Sequence, residues 1–246
     1  AVCKLNGRFV TAIWHKKART LNLIGDSMGF AKLYYWSGPN KFLFSSEYKG
    51  IIYHEDFSQR VDIQGLADFM ALGHCVENRT LLEGGKLLPE GTIISVEPGK
   101  MPSVQKCCDY TFYSEDEPLR SEHHYIDEFY VRLETAIKRQ LTISHNIGIP
   151  VSGGFDSRTL AGIVGRISNS KNVKALSYGH KRCFDVVYGR KIAKKVGFEH
   201  SFIQIGENYI RDYAEQFVWI MEGMVDCINS HMLLTYPFIR NQRIDT

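Results

Sequence analysis

Ser152, Asp156 and Ser157 are the residues whose types and spacing most clearly suggest chemistry. They sit in one short run, Val151-Ser152-Gly153-Gly154-Phe155-Asp156-Ser157, with two adjacent glycines between the first serine and the aspartate. Glycines let a backbone come close to a ligand because no Cβ intervenes. Two hydroxyls add donors and acceptors. A helix beginning at the end of the run would supply free N–H groups and the positive end of its dipole, which suits an anion. A carboxylate such as Asp156 repels a bare phosphate, so its best use there is to hold a divalent cation that bridges to the phosphate. The run is not a Walker loop, because no Gly-Lys-Ser/Thr follows the glycines. A glycine turn opening an ordinary helix, with Asp156 as its cap, is the bland alternative.

The flanking elements are those the loop requires. Ile147-Gly148-Ile149-Pro150 leads in as a short apolar strand, and Leu160, Ile163, Val164 and Ile167 recur at helical spacing behind it. Further alternation follows: strand 173–178, helix 186–196 with Tyr188, Ile192 and Val196 spaced by four, strand 200–204, and helix 207–221 with Ile210, Tyr213, Phe217 and Met221 inward. Strand–helix alternation predicts a parallel sheet, whose ligands bind at the carboxyl ends of strands. Ser152–Ser157 and Tyr178-Gly179 both fall at such ends. Upstream, His124 to Leu141 reads as a helix with Ile126, Tyr130, Leu133, Ile137 and Leu141 on one face.

Residues before about 115 have a different signature. Short β-rich runs at 9–14, 21–24, 41–44 and 92–96 lie between turn residues, and a single helix is predicted at 63–72 with Leu66, Phe69 and Met70 on its apolar face. That pattern predicts an antiparallel layer. Residues 107–122, which include the acidic Ser114-Glu115-Asp116-Glu117-Pro118, read as a linker. The chain opens on Ala1-Val2-Cys3 without Met and stops on Thr246 just after an apolar segment, so it is expected to be part of a longer protein.

Bulk properties narrow the class. The 246 residues are 44% hydrophobic and 23% charged, with a formal net charge of +3, and no concentrated basic block calls for a nucleic-acid partner. Six cysteines include no C-x-x-C pair, so neither a zinc site nor a disulfide framework is expected, and a reducing, cytoplasmic setting is the default. No apolar run reaches transmembrane length, and no signal-peptide pattern is seen. Trp14, Trp36 and Trp219 read as core packing. His180 and His200, flanking the predicted site, read as polar residues at strand ends.

The run at 152–157 resembles the S-G-G-x-D-S loop of ATP pyrophosphatase enzymes, which split ATP to AMP and pyrophosphate. Four earlier stretches stand in the order of the glutamine-dependent asparagine synthetase family. Leu5-Asn6-Gly7-Arg8-Phe9-Val10-Thr11-Ala12-Ile13-Trp14 is similar to its L-x-G-x-F-A-x-A-I-W run, and Leu23 to Tyr35 to its L-x-R-D-x-x-G-x-K-P-L-Y-Y stretch. Phe44-Ser45-Ser46-Glu47-Tyr48-Lys49 resembles F-A-S-E-x-K, and Thr80-Leu81-Leu82-Glu83-Gly84 with Leu88-Pro89-Glu90-Gly91 resembles T-L-F-x-G…L-P-P-G. The pattern departs at Gly25, where Arg is usual, at Ser27, and at Ala31-Lys32 in place of Lys-Pro. Cys3 does not correspond to the amino-terminal nucleophile of the family, and its second acidic motif, S-G-x-G-x-D-E, would fall beyond Thr246.

The resemblance implies an α+β glutaminase-like layered sheet part over 1–115, with its N-terminal portion incomplete. An α/β parallel-sheet ATP pyrophosphatase (adenine nucleotide alpha hydrolase-like) domain over 116–246 would follow. It implies an ATP-dependent ligase that adenylates a carboxylate, by default aspartate, and transfers ammonia from glutamine. Val151, Ser152, Gly153, Gly154, Asp156 and Ser157 would hold ATP, Asp156 would bind Mg²⁺ as the catalytic residue, and Tyr178 would contact adenine through its main chain. Asp185, in a Phe-Asp pair, is a candidate with a helix N-cap as its alternative role. Small-molecule substrates, no membrane, and a homodimer are compatible with the family. Two alternatives stay open: a ring-closing synthetase of the β-lactam or lasso-peptide type, and a catalytically silent relative acting as a binding or regulatory module.

Overall fold

A computed structural model describes residues 4–108, 120–142, 145–168 and 172–245. Most of the expected linker, including Ser114–Pro118, lies outside the described residues. The chain divides into two compact units, Ala1–Ser114 with Gln216–Cys227, and Glu115–Glu215 with Ile228–Thr246.

The first unit is built on short antiparallel strands. They are β1 (Val10–His15), β2 (Thr20–Gly25), β3 (Tyr34–Ser37), β4 (Phe42–Ser45), β5 (Lys86–Leu87), β6 (Thr92–Val96) and β7 (Ser103–Lys106), with helices α1 (Lys49–Ile52) and α2 (Ile63–Leu72) between β4 and β5. One sheet has the order β1-β2-β6-β7 and the other β4-β3-β5, all pairs antiparallel. The period of two along β3 sends adjacent tyrosines into different cores. Tyr35 packs with Leu23, Leu33, Leu88 and Ile94. Tyr34 packs with Tyr48, Ile51, Phe57 and Met224.

Two charged groups fix this unit. Asp26, 1% exposed, accepts N–H groups from Met28 (3.0 Å), Phe30 (3.1 Å), Ala31 (2.9 Å) and Phe9 (3.4 Å). Burial pushes its carboxyl pKa up, but these four donors outweigh burial and hold it below the usual 3.8. Glu222, at a left-handed φ of 59°, accepts the Lys49 N–H at 3.2 Å and pairs with the Lys49 ammonium at 3.1 Å. Burial, and then Glu222, raise the Tyr34 phenol above its ordinary range.

Several apolar side chains of this unit are not in its cores. The helix expected at 63–72 forms, capped by Asp62, whose carboxylate accepts from Gly65 N–H at 2.7 Å, yet Leu66 and Met70 are exposed and Gly65 is its buried residue. Gly65 faces Thr80, whose carbonyl oxygen would lie 2.4 Å from an added Cβ. Trp14 and Trp219 are also exposed, contrary to their assignment to the core, whereas Trp36 packs edge-on to Phe57.

The second unit alternates as expected. It contains α3 (Glu122–Leu141), β8 (Ile147–Pro150), α4 (Phe155–Ile167), β9 (Val173–Gly179), α5 (Phe184–Val196) and β10 (Glu199–Gln204). Most of α6 (Tyr209–Met221) follows, then a 3₁₀ stretch over Cys227–Thr235 and α7 (Tyr236–Asn241), neither read from the sequence. The three strands pair in parallel in the order β10-β9-β8. Their core joins Ile147, Ile149 and Val151 to Ala161, Ile163 and Val164 of α4, Val173 and Ala175 of β9, Ala193 of α5, Phe198, and Ile137 of α3. On α5 the buried line is Val186, Gly189 and Ala193, and Tyr188 is exposed. Among the described residues no helix is long and apolar enough to cross a membrane.

Candidate functional site

The loop at 152–157 lies at the carboxyl end of β8. Val151 extends the parallel pairing by donating its N–H to Leu176 O at 2.8 Å, and the chain then leaves the sheet. Helix α4 starts from Gly154, at φ −69° and ψ 157°, with no side-chain cap. The Arg158 N–H is the first to reach back, to Gly154 O at 3.3 Å. The N–H groups of Phe155, Asp156 and Ser157 therefore precede the first intrahelical bond and have no partner within the helix.

The two serines knit the loop together. Their hydroxyl oxygens are 2.9 Å apart. Ser157 Oγ accepts the Ser152 N–H at 3.1 Å, and Ser152 Oγ accepts the Gly154 N–H at 3.2 Å. The glycines between them are not demanded by the fold. Gly154 has ordinary φ, and a Cβ there would meet only Ser152 Oγ, at 3.4 Å. A Cβ on Gly153 would make ordinary contact with Tyr188 at 3.5 Å.

A second helix N-terminus closes on the same loop. At the last residue of β9, Gly179 takes φ 137°, a region that favours glycine, and Cys183 Sγ would lie 3.0 Å from an added Cβ. Helix α5 then starts with Cys183 as its N-cap residue, so Asp185 is in the first turn and is not the cap. Its Oδ1 accepts the Gly153 N–H at 3.2 Å, an interaction across 32 residues. Asp156, in the first turn of α4, is exposed and takes no hydrogen bond or ion pair among the described residues. Each helix thus contributes one carboxylate. No group of three or more metal-ligating side chains occurs among the described residues. One or two carboxylates plus substrate phosphates are the usual ligands of Mg²⁺, and each of these helix starts offers one carboxylate.

The other expected residues divide. Tyr178 pairs with Ile203 in the β9–β10 register, and its ring lies 5.4 Å from His231, which in turn meets Tyr209 edge-on at 5.6 Å. His231 gave no sequence signal, because it comes from the 3₁₀ stretch. His180 is exposed and accepts the Arg182 N–H through Nδ1 at 3.4 Å. His200 is not merely a polar strand-end residue: its Nε2 lies 3.0 Å from Ser177 Oγ, whose hydroxyl donates to Val151 O at 2.6 Å.

Comparison with known proteins divides the chain in two. Residues 1–108 match the family described as Glutamine amidotransferase domain, and residues 128–244 match Asparagine synthase. A Methanocaldococcus jannaschii protein named for glutamine-hydrolyzing asparagine synthetase is 22% identical over 90% of this chain and 43% of its own length. Asparagine synthetase (glutamine-hydrolyzing) 3 of Bacillus subtilis is 39% identical over 28% of this chain and 11% of its own length. Amidase chry2 of Gibberella zeae is 22% identical over 93% of this chain and 36% of its own length. The chain thus spans less than half the length of each of these relatives.

Proposed function

Because the chain belongs to the glutamine-dependent asparagine synthetase family, with the amidotransferase and synthase portions in order, we propose that its Ser152–Ser157 loop binds ATP for an amide-forming reaction. The observation that carries this reading is the start of α4 at a strand's carboxyl end. The N–H groups of Phe155, Asp156 and Ser157 have no partner within the helix, and they lie in a loop with two hydroxyls that bond to each other and two glycines that neither backbone conformation nor packing requires. A pyrophosphate group fits that chemistry. On the domain level, we take 1–115 as the C-terminal part of a class II glutaminase-like domain and 116–246 as the synthetase domain, although Gln216–Cys227 group with the first compact unit.

A carboxylate is a poor acyl donor, since its leaving group would be oxide. Its oxygen attacks the α-phosphorus, the bond from that phosphorus to the bridging oxygen breaks, and pyrophosphate leaves with the electron pair. Ammonia then attacks the acyl carbon, AMP departs, and an amide remains after loss of a proton. Ser152, Ser157 and the N–H groups of residues 155–157 hold the departing pyrophosphate, where negative charge accumulates. Asp156 would hold Mg²⁺, with Asp185 of the α5 start a further candidate, and the ion would supply charge neutralisation there. Val151 ends the strand that aims the loop, and Tyr178 lies at the end of the neighbouring strand, where the adenine is accommodated.

Aspartate is the default acceptor, glutamine the ammonia source, and the setting cytoplasmic. The amidase-named relative from Gibberella zeae favours a second reading, in which the amide concerned is not that of aspartate. The test is pyrophosphate release with ATP, Mg²⁺ and a panel of carboxylates, aspartate first. Asp156→Asn keeps the shape and removes the charge, so turnover is expected to fall by roughly a hundredfold or more, while ATP affinity changes less. Equal turnover in wild type and variant refutes the site. A wild type inert with every carboxylate refutes the enzyme reading.

A further inference from the structure

We infer that His200 is a positioning residue for the loop: its Nε2–H holds the Ser177 hydroxyl, which holds the Val151 carbonyl immediately before Ser152. Three elements meet at this relay. Ser177 is on β9, 2% exposed, and its hydroxyl donates to Val151 O at 2.6 Å. A hydroxyl has one proton, so the Ser177 oxygen can only accept from His200 Nε2, at 3.0 Å on β10. That fixes the imidazole as the Nε2–H tautomer. Burial, then the charge of Arg190, hold the imidazole pKa below its usual 6.5, which favours the neutral ring. The backbone of α5 closes over the relay at Gly189, where an added Cβ would lie 2.2 Å from Ser177 Oγ and 2.4 Å from Val151 O.

The consequence is that the strand-to-loop exit is set by side chains two strands deep as well as by backbone pairing. Val151 N–H is tied to Leu176 and its carbonyl to Ser177, so the residue that leads into the Ser152–Ser157 loop is held through both of its backbone polar groups. A ligand site of this kind works only when its donors are held to a fraction of an ångström. The inference rests on the proposed nucleotide reading only for what the loop receives.

The test is residue-resolved amide exchange of the full chain without nucleotide, followed by calorimetry with ATP and Mg²⁺. His200→Leu removes the donor, and His200→Gln restores an N–H near the Nε2 position. His200→Leu is expected to speed exchange at Val151, Ser152, Gly153 and Gly154 by about fivefold, the loss of one hydrogen bond of ordinary net strength. His200→Gln should match wild type, Ser177→Ala should match His200→Leu, and the double variant should add nothing further. Unchanged exchange in His200→Leu, or failure of a folded His200→Gln to restore the wild-type rate, overturns the inference. If His200→Leu does not fold, His200→Gln and Ser177→Ala decide: wild-type exchange in the first with faster exchange in the second sustains the relay, and any other pattern overturns it. If exchange responds as expected but wild type binds no ATP, His200 still positions the loop and the nucleotide reading fails.

Discussion

Gly189→Ala should destabilise the second unit although helix propensity says the opposite. Inside an exposed helix, alanine is favoured over glycine by about 1 kcal/mol. At Gly189, however, the new methyl would lie 2.2 Å from Ser177 Oγ, 2.4 Å from Val151 O and 3.2 Å from Val151 C. Two of these atoms are backbone, so α5 has to move away from the sheet or the Ser177 hydroxyl has to leave its bond. Overpacking of this kind costs about 1–3 kcal/mol, and loss of the Ser177–Val151 bond adds about 1 kcal/mol. After the propensity gain, the net loss is about 1–3 kcal/mol. Gly162 on α4 is the control, because nothing lies within 4 Å of its added Cβ. Gly162→Ala should therefore gain up to about 1 kcal/mol. All three tryptophans, Trp14, Trp36 and Trp219, belong to the first unit, so urea unfolding is better followed by far-UV circular dichroism. A Gly189→Ala protein as stable as Gly162→Ala would refute the packing of α5 on the loop exit.

Three further outcomes are expected. Gly154→Val should abolish ATP binding in calorimetry with only a small shift of the unfolding midpoint, since its Cβ meets nothing closer than Ser152 Oγ at 3.4 Å in the protein itself; equal affinity would remove the glycine argument. Asp26→Asn turns an NH₂ group or a neutral oxygen toward four N–H donors and should cost about 2–3 kcal/mol in chemical denaturation of the first unit. Because the native carboxyl pKa lies below 3.8, this contribution is fully present above that value and is lost as pH falls through the native pKa, so the wild-type advantage over Asn should vanish at strongly acid pH. Limited proteolysis should cut first within Ser114–Pro118 if 1–115 and 116–246 are the domains, whereas cleavage confined to 147–204 would count against that boundary.

What the sequence determined by itself is local. The apolar run at 147–150, the glycines, and the i, i+3, i+4 spacing behind them place a strand, a loop and a helix start in order, and the structure has β8 and α4 there. The later strand–helix alternation likewise implied the parallel pairing of β8, β9 and β10. These signals are readable because backbone periodicity and turn chemistry act over a few residues. Tertiary structure decided what each face meets. Tyr188 keeps helical spacing with Ile192 and Val196, yet the face that α5 buries runs through Val186, Gly189 and Ala193, because only a glycine lets the helix approach Val151 and Ser177. Leu66 and Met70 form an apolar stripe that the described residues leave uncovered. Asp185 read as a candidate with a helix N-cap as its alternative, and His200 as a polar strand-end residue; their contacts come from partners 32 and 23 residues away, Gly153 and Ser177. A periodic pattern shows that a face exists, but hydrogen bonds and close contacts across such separations depend on how the chain brings elements side by side, which no short window of sequence contains.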